Sequence, residues 1–252
     1  MTGKRLMIDT SKCIGCRACQ VACQQWHSLT AEDTTFTGTY TNPPDLSGTN
    51  LTLIKFVEVE EAGKVGFHFV TDRCRHCDNP QCKIACPLKA IKRQDNGIVR
   101  INPDKCDPLS CVTPEHYSDL RPCQMACPFK KDGVPFNTLG IPRMNYVKNG
   151  SPVSTKMMKC DFCYNRLGLK GQALGLPVGT FASTLKPACE VTCAPGAIKS
   201  GPADTIKRKA NKRVTYLKAN GYPNANVYPA SLPTHVIWVL LEPPQTYGLM
   251  VP

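Results

Sequence analysis

Sixteen cysteines divide into four sets of four along this 252-residue chain, with none left over. Group one is Cys13, Cys16, Cys19 and Cys23, in "CIGCRACQVAC"; group two is Cys74, Cys77, Cys82 and Cys86. Group three is Cys106, Cys111, Cys123 and Cys127, and group four is Cys160, Cys163, Cys189 and Cys193. Every group ends in C-x3-C, while the earlier gaps vary. Small secreted domains use disulfides because they bury too little apolar surface. A chain of this length, 42% hydrophobic, can form a core without them. Inert core cysteines do not explain four matched sets. Zinc sites pair separated C-x2-C units or mix cysteine with histidine. Here the sets are triplets plus a fourth, and of five histidines only His76 lies at ligand spacing. Iron–sulfur clusters, which take four thiolates each, fit best.

The shared ending has a physical reading. A short loop with close cysteines wraps three corners of a cubane, and the fourth cysteine follows at a four-residue offset where the chain enters a helix. In the bacterial pattern C-x2-C-x2-C-x3-C-P that fourth cysteine ligates the other cluster. Group one has this spacing. Groups two and three close with "CP" (Cys86–Pro87, Cys127–Pro128) and group four with "CAP", prolines that end the ligand helix. Between groups two and three, "CPLKAIKRQDNGIVRINPDKC" predicts a strand, a turn at Asp95-Asn96-Gly97 and a second strand. "CAPGAIKSG" repeats the opening of that unit without its second strand, so the chain contains internal repeats of a ferredoxin-like half.

The formal charge of +12 raises a nucleic-acid reading. Four cubanes with their thiolates would add about −8 and leave about +4. Arg17, Arg73, Arg75, Lys83 and Lys89 lie inside or beside the cysteine groups, as expected of residues that solvate anionic clusters, and no nucleic-acid partner is expected. The basic start lacks the apolar stretch of a signal peptide. The most apolar run, "VIWVLL" (236–241), is far short of the roughly 20 residues that span a bilayer. No dinucleotide fingerprint, P-loop, nucleophile elbow or zinc-protease motif is present, so no catalytic residue is expected. His76, within "CRHC", is expected to be a solvated loop histidine, against the sharper reading of a residue that tunes a cluster. Trp26 is expected to cap a cluster and His27 to be polar surface. "IKRKANKR" (206–213) reads as the exposed face of a helix, with docking of an acidic redox partner as the alternative.

Over nearly its whole length the chain resembles the four-cluster ferredoxin-like electron-transfer subunits of molybdopterin oxidoreductases. The stretches "CIGCRACQVACQQWH" (13–27), "TNPPDLSGTNLTLIKFVEVE" (41–60), "MKCDFCYNRL" (158–167), "PACEVTCAPGAI" (187–198), "RVTYLKANGYPNANVYPA" (213–230) and "THVIWVLLE" (234–242) look most like the β subunits of formate dehydrogenases. The resemblance implies an α+β fold of two bis-[4Fe–4S] modules related by pseudo-symmetry. It implies that Cys13, Cys16 and Cys19 share a cluster with Cys193, and that Cys160, Cys163 and Cys189 share one with Cys23. Cys74, Cys77 and Cys82 would join Cys127, while Cys106, Cys111 and Cys123 would join Cys86. Residues 1–70 with 151–200 then form one module, 71–150 the other, and 201–252 a helix and strand extension.

The implied function is non-catalytic: an electron conduit of four [4Fe–4S] clusters. A molybdenum- or tungsten-pterin catalytic subunit would feed it, and a soluble carrier such as a c-type cytochrome or ferredoxin would drain it. Electrons would enter the module of groups one and four and leave through that of groups two and three. The same conduit could serve a nitrate, polysulfide or arsenate enzyme, and a zinc module meeting nucleic acid is the remaining alternative. The resemblance points to the periplasm by co-export with the partner, the cytoplasm being the alternative, and no direct membrane span is expected. Two features depart from the family: eleven residues separate Cys111 from Cys123, and 25 separate Cys163 from Cys189. The insert 112–122 is expected to shape docking of the carrier. The glycine-rich "LGLKGQALGLPVG" is expected to be a surface loop.

Overall fold

A computed structural model describes residues 3–61, 63–108, 110–111, 121–129, 156–164, 186–249 and 251. Residues 112–120 of the insert and the glycine-rich stretch 167–179 lie outside the described residues.

Each cysteine group closes on a helical turn. Helix α1 (Ala18–Trp26) carries Cys19 and Cys23. Three single-turn helices hold the third cysteine of the other groups: α2 (Gln81–Ile84) holds Cys82, α3 (Pro122–Met125) holds Cys123, and α4 (Ala188–Val191) holds Cys189. In each case the third cysteine is the second helical residue, and the fourth lies one turn further on. Proline cannot donate to the helical ladder and clashes with the carbonyl four residues back. Pro87, Pro128 and Pro195 accordingly stop these helices before the fourth cysteine. No proline follows Cys23, and α1 runs on for three more residues.

Strand β1 (Lys4–Asp9) precedes group one. A long antiparallel hairpin, β2 (Thr52–Glu61) with β3 (Lys64–Arg73), leads into group two, and Phe56 meets Phe69 across it edge to face at 5.2 Å. The expected short hairpin is present: β4 (Ile91–Arg93) pairs with β5 (Val99–Ile101), and Gly97 in the turn has φ +85°. The strand that the sequence lacks after group four comes from the other end of the chain. Strand β6 (Ile198–Pro202) pairs antiparallel with β1, Ile8 opposite Ile198.

Beyond β6 the chain forms α5 (Ala203–Ala219), then β7 (Asn226–Tyr228) and β8 (Val236–Leu240). Strand β8 lies between β1, to which it is parallel, and β7, giving a sheet in the order β6-β1-β8-β7. A strand covered on both faces needs apolar residues without alternation. The "VIWVL" of β8 meets that demand, every residue buried. One face of the sheet, with Met7, Ile237 and Val239, packs on Ile206, Ala210 and Leu217 of α5. The opposite face, with Leu6, Ile8, Val236, Trp238 and Leu240, joins the core that contains the buried cysteines. The basic run on α5 is exposed at Lys207, Arg208, Lys209 and Lys212, as expected of a solvated helix face.

Candidate metal centres

All sixteen cysteines lie among the described residues, each as a free thiol. They gather across groups. Cys13 lies within electrostatic reach of Cys16 and Cys193, and Cys19 within reach of Cys13. Cys23 faces Cys160 and Cys189, which Cys163 also faces. Cys77 is close to Cys74, Cys82 and Cys127. Cys123 is close to Cys86, Cys106 and Cys111. Two cavities collect one gathering each. The first is lined by Cys23, Cys160, Cys163 and Cys189, the second by Cys74, Cys77, Cys82 and Cys127.

The gatherings also lie within electrostatic reach of one another in series. Cys19 reaches Cys189, Cys160 reaches Cys74, and Cys82 reaches Cys123. The four thiol sets therefore form a row: the set with Cys13, then that with Cys160, then that with Cys74, then that with Cys106.

The chemistry of these thiols calls for a cation. Burial pushes the Cys19 thiol up to about 12 and also raises Cys23, Cys77, Cys123 and Cys163, with repulsion from neighbouring thiols adding to it. Such groups stay protonated alone, whereas the thiolate is the metal ligand. Iron held by these thiols would supply the missing positive charge. The surroundings are already arranged for sulfur that carries charge. Backbone N–H groups donate from Ala90 to Cys86 Sγ (3.3 Å), from Met157 to Cys106 Sγ (3.4 Å) and from Ala188 to Cys163 Sγ (3.5 Å). The cysteine loops take left-handed backbone at Gly15, Arg17, His76 and Phe162. The donor set fits iron–sulfur clusters.

Of the basic residues expected to solvate clusters, Arg73 does so directly: its Nη1 donates to Cys189 Sγ at 3.0 Å. Arg75 is paired with Asp72 and enclosed by Phe129, Tyr228 and Trp238, while Lys83 and Lys89 are exposed. Lys159 was missed. It is buried beside Cys160, and its ammonium donates to the carbonyls of Val99 and Cys160. The adjacent basic residue in "MKC" was its available signal.

Two expectations are corrected. His76 is not solvated but 0% exposed, because Phe162 packs edge-on against its ring and Val99 N–H donates to Nδ1 at 3.0 Å. Burial, with Lys159 nearby, holds it well below its ordinary pKa, so the ring is neutral. His27 is not mere surface either: Nε2 lies 3.3 Å from Asp161, whose carboxylate also accepts the Cys163 N–H at 2.8 Å. Burial alone would raise the Asp161 carboxyl, but His27 and Lys159 hold it below the usual range. His27 thus braces the loop of group four from the end of α1. Trp26 is half-buried at that end.

Comparison with known proteins agrees with this donor set. A 4Fe-4S dicluster domain matches residues 65–174 and a 4Fe-4S binding domain matches residues 4–25. The formate dehydrogenase iron-sulfur subunit of Haemophilus influenzae is 36% identical over 96% of this chain, which spans 66% of that protein's length. The nitrate-inducible formate dehydrogenase iron-sulfur subunit of Escherichia coli is 36% identical over 96% of the chain and 70% of its own. Formate dehydrogenase 2 subunit beta (cytochrome c-553) of Nitratidesulfovibrio vulgaris is 31% identical, with 97% of this chain and 96% of that one covered.

Proposed function

The chain belongs to the iron–sulfur subunit family of formate dehydrogenases, and on that premise we propose that it carries electrons through four [4Fe–4S] clusters for a formate-oxidising molybdenum- or tungsten-pterin subunit. Bound clusters supply one-electron chemistry; the residues of this chain hold them, exclude water from them and set their spacing and potentials. The ligand sets of the proposal are Cys13, Cys16, Cys19 and Cys193; Cys23, Cys160, Cys163 and Cys189; Cys74, Cys77, Cys82 and Cys127; and Cys86, Cys106, Cys111 and Cys123. The observation that carries this reading is the lining of the two cavities, each drawing three cysteines from one group and the fourth from another.

The division into two ferredoxin-like modules is part of the same reading. The pairing of β6 with β1 joins the ends of groups four and one as the β4–β5 hairpin joins groups two and three. The row of thiol sets supports a path from the Cys13 set through the Cys160 and Cys74 sets to the Cys106 set. At the first end Cys16 is exposed, flanked by Ile14 (62% exposed) and Val21 (48%). Apolar side chains left in water around a redox centre suit the face that meets the catalytic subunit. At the other end a soluble carrier, such as a c-type cytochrome or ferredoxin, would collect the electrons. No helix among the described residues is long and apolar enough to cross a membrane. Export together with the catalytic partner belongs to the same proposal.

Anaerobic purification of the native complex tests this reading. About sixteen irons per chain, a copurifying pterin subunit and formate-dependent bleaching of the cluster absorption are expected. Zinc as the dominant metal, or far less iron, would sink the cluster assignment. A nitrate, polysulfide or arsenate enzyme as the copurifying partner would sink the formate assignment alone.

A further inference from the structure

We propose that Arg73 is a fixed positive charge shared by the clusters of the Cys13 and Cys160 sets, raising both of their reduction potentials. Arg73 is 1% exposed and lines the cavity of Cys23, Cys160, Cys163 and Cys189. Nη1 donates to Cys189 Sγ at 3.0 Å, while Nε and Nη2 have no hydrogen-bond partner among the described residues. Its charge lies within electrostatic reach of Cys189 and Cys160 of one thiol set and of Cys19 of the other.

The contrast with Arg75, two residues on, is what singles Arg73 out. Arg75 is equally buried, but its charge is met by Asp72 and by three aromatic faces. The carboxylate of Asp72 is taken: Lys55 Nζ lies 2.9 Å from it, Arg75 pairs with it, and the Arg73 backbone N–H donates to it at 2.8 Å. Among the described residues the Arg73 guanidinium has sulfur as its one hydrogen-bond partner. A buried cation without an anion is costly, because it gives up its hydration for nothing. Sulfur supplies that anion only when the thiols are deprotonated on metal.

The consequence for electron transfer follows from charge balance. A cubane with four thiolates carries about −2, and one added electron takes it to about −3. The extra negative charge is drawn to Arg73, at short range and in a poorly screened interior, whichever of the two neighbouring clusters receives it. A single side chain thus favours reduction at both stations. Arg73 neither gains nor loses a proton in the process.

This inference rests on the four-cluster reading, and the test separates the two. The native complex is titrated potentiometrically with electron paramagnetic resonance detection, as wild type, Arg73→Gln and Arg73→Lys. In Arg73→Gln two of the four midpoint potentials are expected to fall by at least a tenfold change in reduction equilibrium, about 59 mV for one electron. The other two should move less, and Arg73→Lys should recover most of the fall. Unchanged potentials, or an equal shift of all four, overturn the proposal. Fewer than four clusters in the wild type would instead overturn the reading beneath it. If Arg73→Gln does not assemble its clusters, guanidino-15N arginine decides: a nitrogen coupling on a reduced cluster in the wild type should vanish in Arg73→Lys. Its absence from the wild type, or its persistence in Arg73→Lys, overturns the proposal.

Discussion

Gly97 and His235 lock three distant parts of the chain. The imidazole of His235 lies over the turn between β4 and β5, its Nδ1 2.6 Å from the Lys4 carbonyl oxygen and its Nε2 2.8 Å from Asp78. A methyl group at position 97 would come within 2.0 Å of the ring, and φ there is +85°. Gly97→Ala is therefore expected to cost about 1–2 kcal/mol in backbone strain and about 1–3 kcal/mol in displaced packing. For a chain of this size the holoprotein Tm should fall by at least about 4 °C. An unchanged Tm would mean that the His235 ring can leave the turn freely. The "DNG" turn was legible from local residue preferences. The histidine above it was not, since 138 positions separate the two in the chain.

At the scale of elements, α5 is held to β1 by more than its apolar stripe. The Asp9 carboxylate, 3% exposed, accepts from Arg213 Nε at 3.0 Å and from the Ser11 N–H at 3.1 Å. Arg213→Ala leaves that carboxylate buried without its cation, at an expected cost of about 1–3 kcal/mol. Lys207, on the exposed face of the same helix, should tolerate alanine within about 0.5 kcal/mol. Thermal unfolding of the two holoprotein variants compares them; equal effects would show that the Asp9–Arg213 pair contributes nothing beyond surface charge. The 3.6-residue spacing of Ile206, Ala210 and Leu217 and the charged face opposite were readable in sequence. That the helix covers a four-stranded sheet was not, because that sheet is assembled from both ends of the chain.

Among the described residues the larger core is lined by cysteine thiols and a smaller one has none. Cys19, Cys74, Cys82, Cys106, Cys123, Cys127, Cys160 and Cys189 all belong to the larger core. Without iron, buried thiols surround gaps with no partner atoms, and the free energy of metal binding is lost from folding. Chelation of iron under reducing conditions is expected to abolish the cooperative thermal transition and expose residues 63–108 to proteolysis; restoring iron and sulfide should reverse both. Retention of a sharp transition without iron would show that the apolar contacts suffice. The match of cysteine-bearing loops to short helical turns and left-handed backbone suits a scaffold built around its cofactors.

The sequence by itself determined the donors and their local geometry. Four groups of four cysteines, a helical offset between the last two and prolines that end the turn are all properties of neighbouring residues. The tertiary structure decided what depends on distant ones. It brings the fourth cysteine of one group beside the triplet of another, inserts β8 between β1 and β7, and buries Arg73 and His76 away from water. The physical reason is common to all three. Spacing constrains residues a few positions apart, whereas strand pairing and burial depend on which remote segments meet, and the cost of an unpaired charge arises only once those segments have closed around it.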